Sequence, residues 1–582
     1  MSRLTRFVPI LDWGRAYSRR DLPGDLMAGS ITAIMLVPQA MAYAMLAGLP
    51  PEVGLYASIA PPILYGIFGS SRALAVGPVA IASLMTATAL SALSPAGSPD
   101  YIANALVLSL LIGLMLLGLG IARAGFLVNF LSHPVIAGFT SAASILIVIS
   151  QLKHLLGIDI PRGESVATLV NLARGLSGAN GVTLAISACS LVILLAMRAP
   201  LTALLQRLRL SPFTVQLLTR SSPLLVVILS VVVTSAWRLD ESAGVAIVGA
   251  IPSGLPSFTV PSLDLGIWQA LLPSAALIAF VSYLESVSVA KALAARKRQK
   301  VDADQELIGL GAANLAAAFT GASPVAGGFA RSMVNFAAGA NTPLASILTA
   351  LLLAISVMFF TPFFHYLPQA VLAATIVVAV VALIDGASFV RTWHYNKADF
   401  AAQAGTFMVV LGIGVEAGIM TGIVLSLTLY LWRSSRPHFA IVGQVDNSEH
   451  YRNVKRHHVR TDPAILLFRI DENLYFPNAG YLEEHLRAEV AANPEVRHVV
   501  LICSSVSLID ASALETLTEL RDTLRAADVT LHLAEVKGPV MDRLQATDFT
   551  RDLAPGRIFL STHDAVRTLR ERLYADSYAA DI

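Results

Sequence analysis

Apolar residues gather along this chain into about fourteen runs, separated by short polar, proline- or glycine-bearing breaks. The runs lie near 26–47, 53–68, 76–92, 102–121, 126–151, 181–197, 223–237, 267–290, 305–319, 328–338, 343–360, 366–384, 399–415 and 417–433. A bilayer core takes roughly 20 apolar residues per helical span. The pattern therefore predicts an α-helical polytopic membrane protein. Between Leu26 and Asp100 the charged side chains are Glu52 and Arg72, too few for a water-soluble fold. The third and tenth runs are too short to cross as regular helices, and both open on glycine or proline, at Val76-Gly77-Pro78 and Val325-Ala326-Gly327-Gly328. From about Ile441 the apolar runs shorten, charged residues become frequent, and strand-like and helix-like segments alternate. This divides the chain into a cytoplasmic N-terminal segment (1–25), a transmembrane domain (26–434), a linker (435–460) and a soluble cytoplasmic domain (461–576).

Composition agrees, with 55% hydrophobic and 14% charged residues and a net charge of +2. The distribution of charge says more than its sum. After even-numbered runs come Arg72, Arg123, Arg198 with Arg207 and Arg209, Arg296-Lys297-Arg298-Gln299-Lys300, Arg391 with Lys397, and Arg433 with Arg436. After odd-numbered runs come Glu52, Asp100, a mixed loop with Asp159 and Glu164, Asp240 with Glu241, and Glu416. The N-terminus is basic through Arg3, Arg6, Arg15, Arg19 and Arg20, and its polar start predicts no cleavable signal peptide. Positive residues collect on the cytoplasmic side, so both termini are expected there, in a multi-pass protein of the cytoplasmic membrane. Cys189 and Cys503 form neither a disulfide framework nor a metal spacing, and no cofactor, metal or nucleic acid is expected.

Short broken spans at the third position of each seven are the mark of an inverted-repeat transporter, whose half-helix N-termini hold an anionic group near the midplane. Each such terminus offers unpaired N–H groups and about half a positive charge. Pro78 suits the first turn of the third helix, and Gly327 and Gly328 permit close backbone approach at the tenth. Arg331 follows, with Ser332, just inside the tenth span; an arginine there either faces an anion or snorkels or pairs with a buried carboxylate. Gln39 and Tyr43, four apart, share one helical face and offer an amide and a hydroxyl, either to an oxyanion or to a neighbouring helix.

Several motifs together resemble the SulP sulfate permease family, which includes prestin and pendrin. They are Val37-Pro38-Gln39-Ala40-Met41-Ala42-Tyr43-Ala44, Gly48-Leu49-Pro50-Pro51-Glu52-Val53-Gly54-Leu55-Tyr56, Phe68-Gly69-Ser70-Ser71-Arg72, Ala75-Val76-Gly77-Pro78-Val79-Ala80, Val248 to Pro256 and Gly328-Phe329-Ala330-Arg331-Ser332. The resemblance implies 14 spans in a 7+7 inverted repeat with core and gate domains, an elevator-like motion, a homodimer and a C-terminal STAS domain of small α/β fold. It also implies substrate contacts at Gln39, Tyr43, Arg331 and Ser332 and at the backbone N–H groups of Val79, Ala80 and Ala330. Many relatives carry serine where this chain has Ala330.

Glu285 is the acidic residue deep in the eighth run, on a narrow polar face with Ser282 and Ser286. It accepts a co-transported proton, helps coordinate sodium, or pairs with Arg331; the proton is favoured because no neighbouring carboxylate completes a sodium shell. Asp302, Asp304-Gln305-Glu306-Leu307 and Gly311-Ala312-Ala313-Asn314 read as structural. In the soluble domain Ile465–Ile470, Arg497–Cys503 and Val529–Leu533 read as strands, and Asp510–Ala526 and 564–573 as helices. Ser507-Leu508-Ile509-Asp510-Ala511 resembles the STAS signature loop; Ala511 replaces the phosphorylatable residue of similar regulators, and Asp510 is expected to cap its helix. His457 and His458 read as solvated. The chain is thus expected to be no enzyme but a secondary transporter of a small inorganic anion, with sulfate by proton symport first. Sodium-coupled bicarbonate uptake, a dicarboxylate carrier and a membrane-anchored STAS signalling protein are the alternatives.

Overall fold

A computed structural model describes residues 7–130, 132–158, 160, 165–197 and 222–574. Arg3, Arg6, Asp159, Glu164, Arg198, Arg207 and Arg209 lie outside these, as does the end of the expected soluble domain beyond 574. The chain divides into two compact units, to Ser426 and from Leu427.

In the first unit the apolar runs become helices: α1 Leu22–Leu46, α2 Pro51–Tyr56, α3 Ala60–Phe68, then strand β1 Val76–Gly77, α4 Ala80–Ser91, α5 Pro99–Ile121, α6 His133–Leu156, α7 Ser165–Gly175, α8 Gly181–Ala196 and α9 Ser222–Trp237. The second half runs α10 Leu265–Arg296, α11 Ala303–Phe319, strand β2 Ala326–Gly327, α12 Phe329–Ala337, α13 Leu344–Phe359, α14 Gln369–Val381, α15 Gly386–Tyr395, α16 Lys397–Gly412 and α17 Val415–Ser435. Six of the helical stretches are long and apolar enough to cross a bilayer. Large apolar side chains such as Val192, Val232, Phe359 and Met408 stay exposed on the flanks, as lipid-facing positions do.

Boundaries shift where capping outweighs hydrophobicity. The fifth span starts at His133, after a tight turn over Gly125–Phe130, and runs on to a left-handed Gly157. The second is split between α2 and α3 around residues 57–59. The eighth carries on past its apolar stretch and takes in Lys291 and Arg296. Helix α15 was not expected: its Val390, Trp393 and Tyr395 are exposed, and ten mixed residues after an apolar run read as loop.

The expected midplane meeting of two half-helices has an added element. β1 and β2 pair antiparallel, Val76 with Gly327 and Gly77 with Ala326, so each half of the chain reaches its short helix through one residue pair of sheet. Pro78 lies outside the third helix, which begins at Ala80 with Val79 as its N-cap. The carbonyl of Pro78 therefore stays free for a partner.

The second unit is a six-stranded sheet in the order β4-β3-β5-β6-β7-β8, from β3 Phe439–Gln444, β4 Tyr451–Asn453, β5 Ile465–Ile470, β6 His498–Ile502, β7 Thr530–Ala534 and β8 Ile558–Phe559. β5 to β8 are parallel, which explains their unbroken apolar runs, whereas β3 is antiparallel to both neighbours. Helices α18 Ala479–Ala492, α19 Ala511–Ala526, α20 Gly538–Gln545 and α21 Thr562–Leu573 complete it. The stretch 435–460 is thus not a linker: β3 and β4 belong to the sheet, and their mixed polarity on the short antiparallel side hid them. Asp510 caps α19 by accepting from the Ala513 amide at 2.9 Å, and His457 and His458 are exposed.

Candidate functional site

The crossing of β1 and β2 is tied by buried side chains acting on backbone. Ser332 Oγ accepts from the Ala75 amide at 2.9 Å, and Asn335 Nδ2 donates to the Ala73 carbonyl at 3.1 Å. Ser286 Oγ accepts from the Gly327 amide at 2.7 Å while donating to the Ser282 carbonyl. Asn314 accepts from the Val325 amide and donates to the Leu310 and Val325 carbonyls. These bonds satisfy polar groups that hydrocarbon cannot, and they hold the first turns of α4 and α12 at one place.

Arg331 sits in the first turn of α12 and is 2% exposed. Its Nη1 donates to the Pro78 carbonyl at 3.0 Å, with longer bonds from Nε to Ala75 and from Nη2 to Ala326, at 3.3 and 3.4 Å. Three carbonyls orient the guanidinium, but none neutralises it. Among the described residues no ion pair joins Arg331 to Glu285. The glycines here are needed for room: a Cβ on Gly77 would stand 3.2 Å from Arg331 Nη1, and one on Gly328 3.0 Å from Nη2.

Arg331 faces a cavity of about 30 Å³ lined also by Gln39, Tyr43, Val79, Ala80, Glu285 and Ala330. The first-turn N–H groups of α4 and α12 have no intrahelical acceptor. Gln39 Nε2 donates to the Tyr43 hydroxyl at 3.0 Å, and Gln39 Oε1 is buried without a protein partner. Turning the amide by half a rotation exchanges the roles: Tyr43 then donates to Oε1, and two N–H donors are left for a ligand. Either way the pair keeps unused hydrogen-bonding capacity inside the protein.

Seven of the eight residues expected from sequence line this cavity. Ser332 does not: its hydroxyl accepts from the Ala75 amide, and its role is to hold the crossing. Ser286 likewise serves Gly327, so the polar face expected around Glu285 divides, with the serines supporting the crossing and the carboxylate reaching the cavity. Glu285 also borders a second, apolar cavity of about 180 Å³, with Val135, Phe139 and Leu284, and no other carboxylate lines either space. Sequence reading missed Pro78 as a carbonyl partner of the arginine, and Phe329, Val380 and Leu383 as walls. The last three belong to apolar runs in which no residue stands out.

The site outside this cavity that looked structural is so. Glu306 is fully buried and accepts from Tyr65 Oη at 2.7 Å, Ser70 Oγ at 2.7 Å, and the Ser70 and Ser71 amides at 2.9 Å.

Broken helices crossing through a two-strand ribbon, with an arginine and unsatisfied donors at a small cavity, define a multi-pass membrane transporter built as an inverted repeat. The Sulfate permease family profile matches residues 22–406 and the STAS domain profile residues 457–565, and the chain belongs to the sulfate permease family. It is 36% identical over 573 residues to "Sulfate transporter 4.1, chloroplastic" of Arabidopsis thaliana, covering 96% of this chain and 82% of that one. It is 33% identical over 562 residues to "Probable sulfate transporter MT1781" of Mycobacterium tuberculosis, covering 96% and 97%. The fold is similar to that of SLC26A9, with a TM-score of 0.89 at 23% identity over 99% of this chain and 94% of that one. The transmembrane domain of the cyanobacterial bicarbonate transporter BicA gives 0.59 at 20% identity, over 71% and 98%. The family consists of transporters, not enzymes.

Proposed function

We propose that this chain carries a small inorganic oxyanion, sulfate foremost, across the cytoplasmic membrane by secondary active transport, with a proton taken up on Glu285. The carrying observation is the cavity between the first turns of α4 and α12, where Arg331, backbone N–H groups and the Gln39–Tyr43 pair converge. Its volume corresponds to about two water-sized spheres. That suits an anion of a few heavy atoms and is short for a dicarboxylate. Val79, Ala80 and Ala330 contribute backbone, and Ser332 is dropped from the binding set. Relatives named as sulfate transporters, at 33–36% identity over most of this chain, favour sulfate.

Glu285 stands where the anion cavity meets the apolar one, so its charge state acts on both substrate and path. Protonation of this carboxylate lets a dianion enter with less net charge moved, and the lack of a second carboxylate argues against a sodium shell. The loop charges favour both termini in the cytoplasm, and the family resemblance favours a homodimer. A chain ending near Arg436 is expected to keep substrate binding, since the site lies wholly in the first unit.

Uptake into proteoliposomes of radiolabelled sulfate and bicarbonate, under separate proton and sodium gradients, tests this reading. Sulfate accumulation driven by an inward proton gradient, lost in Glu285→Gln with sulfate binding kept, supports it. Sodium-dependent bicarbonate uptake without sulfate uptake, or proton-driven accumulation by Glu285→Gln, contradicts it.

A further inference from the structure

A third cavity, of about 480 Å³, opens near the other end of the helices that frame the anion site. α1 supplies Gln39 and Tyr43 to the site and Met45 and Leu46 to this cavity. α4 supplies Ala80 and Ile81 to the first and Leu84, Ala87, Thr88 and Ser91 to the second. At 1.5 Å of rise per residue, the cavity begins about 4.5 Å beyond Tyr43 along α1 and about 6 Å beyond Ala80 along α4. The two spaces therefore lie one after the other along the same two helices. The larger one is walled further by the last turn of α6, which brings Gln151, Lys153 and His154, and by the turn between α16 and α17.

Its charged and titratable lining groups are basic: Lys153 and His154 are there, and no carboxylate is. This contrasts with the loops at the same end, where Glu52, Asp100, Asp240, Glu241 and Glu416 stand. The bland account is that Lys153 and His154 offset the negative end of the α6 dipole. Lys153 Nζ does lie 3.4 Å from the Ile160 carbonyl, a weak bond that orients the ammonium without neutralising it. A cation in a cleft with low-dielectric walls nevertheless concentrates the field and raises the local concentration of anions.

The geometry points to this cavity as an outer capture site for the transported oxyanion, with Lys153 as the attracting cation that loads the central site. The inference rests on the functional reading above, including the assignment of this end to the outside of the cell. It predicts an effect on capture from outside, and none on the central site itself. A helix-capping lysine would instead act on stability and leave the external KM alone.

The test is uptake into right-side-out membrane vesicles of whichever oxyanion the wild type carries, sulfate or bicarbonate. Lys153→Gln should raise the external KM about three- to tenfold at low ionic strength, with maximal rate unchanged, and the gap should narrow as salt screens the charge. Lys153→Cys in a Cys189→Ser background extends this, since Cys503 is buried. An impermeant cationic thiol reagent should restore the low KM, and an impermeant anionic one should raise it further. A wild type that transports, but whose KM ignores the charge at position 153, overturns the capture site alone, as does failure of both impermeant reagents to act. A wild type that carries no small oxyanion overturns the functional reading and the capture site together.

Discussion

Two side chains, Arg331 at the strand crossing and His532 in the cytoplasmic sheet, are 2% and 1% exposed, yet they are buried to different ends. His532 spends its valences on the protein. Its Nδ1 accepts from the Arg557 amide at 3.1 Å, so Nε2 carries the proton and donates to His498 Nδ1 at 3.1 Å. Burial, with His498 and nearby arginines, holds its pKa down at about 3. Arg331 meets carbonyls but no countercharge, beside a cavity with further unpaired donors. Glu306 sides with the histidine, since four donors saturate it. Burial of a polar group alone thus marks structure; burial with charge left over beside a cavity marks a ligand.

The sharpest way to break that distinction is to remove a saturated group. Glu306→Ala leaves the Tyr65, Ser70 and Ser71 donors unpaired and should cost about 3–5 kcal/mol of stability, with little change in anion Kd for the protein that still folds. Thermal unfolding in detergent, with binding by calorimetry, checks both halves. A large rise in Kd at unchanged stability would place Glu306 with the ligand groups.

Arg331→Gln should do the reverse in emphasis, weakening anion binding by about 1.5–3 kcal/mol through loss of a charge-assisted hydrogen bond. It also frees the Ala75, Pro78 and Ala326 carbonyls, so some stability is lost as well. Arg331→Lys, keeping the charge but not the fork, should fall between the two in Kd. Unchanged binding in both variants would assign the arginine to the crossing alone.

For His532 the expected signature is pH. Its folded pKa lies below its unfolded value near 6.5, so its stabilising contribution is complete above about pH 6.5 and declines as pH falls toward 3. The slope is at most about 1.4 kcal/mol per pH unit. Hydrogen exchange of β6 and β7 amides in the full chain should accelerate from pH 7 to 4.5, after correction for intrinsic rates, and His532→Gln should flatten the dependence. Equal pH dependence in both proteins would remove this histidine from the account.

The smallest effect is a gain. Ala330→Ser adds a hydroxyl at the cavity and should tighten oxyanion binding by about 0.5–1.5 kcal/mol, up to about tenfold in Kd. Weakened binding would mean that the first turn of α12 has no space to spare beside the anion.

Much of this contrast was legible before any coordinates. An arginine after two glycines in an uncharged run, and a glutamine and tyrosine four apart in the first span, are conspicuous because the membrane makes polar groups rare. The soluble strands β5, β6 and β7 were legible as apolar runs for the same reason of contrast. What escaped was pairing between distant segments. Nothing local in Val76-Gly77 or Ala326-Gly327 says that they form a ribbon, and Ser332 looked like a ligand because its partner, the Ala75 amide, lies 257 residues away. β3 and β4 escaped because a short antiparallel side needs no continuous apolar run, and the His498–His532 contact because it spans two neighbouring strands.

The central claim is that a small oxyanion rests between the first turns of α4 and α12 beside Arg331. Selenate, a sulfate analogue with a strong anomalous scatterer, tests it most directly in crystals of the wild type. The account predicts an anomalous selenium peak in the cavity lined by Gln39, Tyr43, Val79, Ala80, Ala330 and Arg331, within about 4 Å of first-turn backbone nitrogens from both helices. A peak elsewhere in the membrane unit with this cavity vacant, under conditions where selenate competes with sulfate for binding, would contradict it.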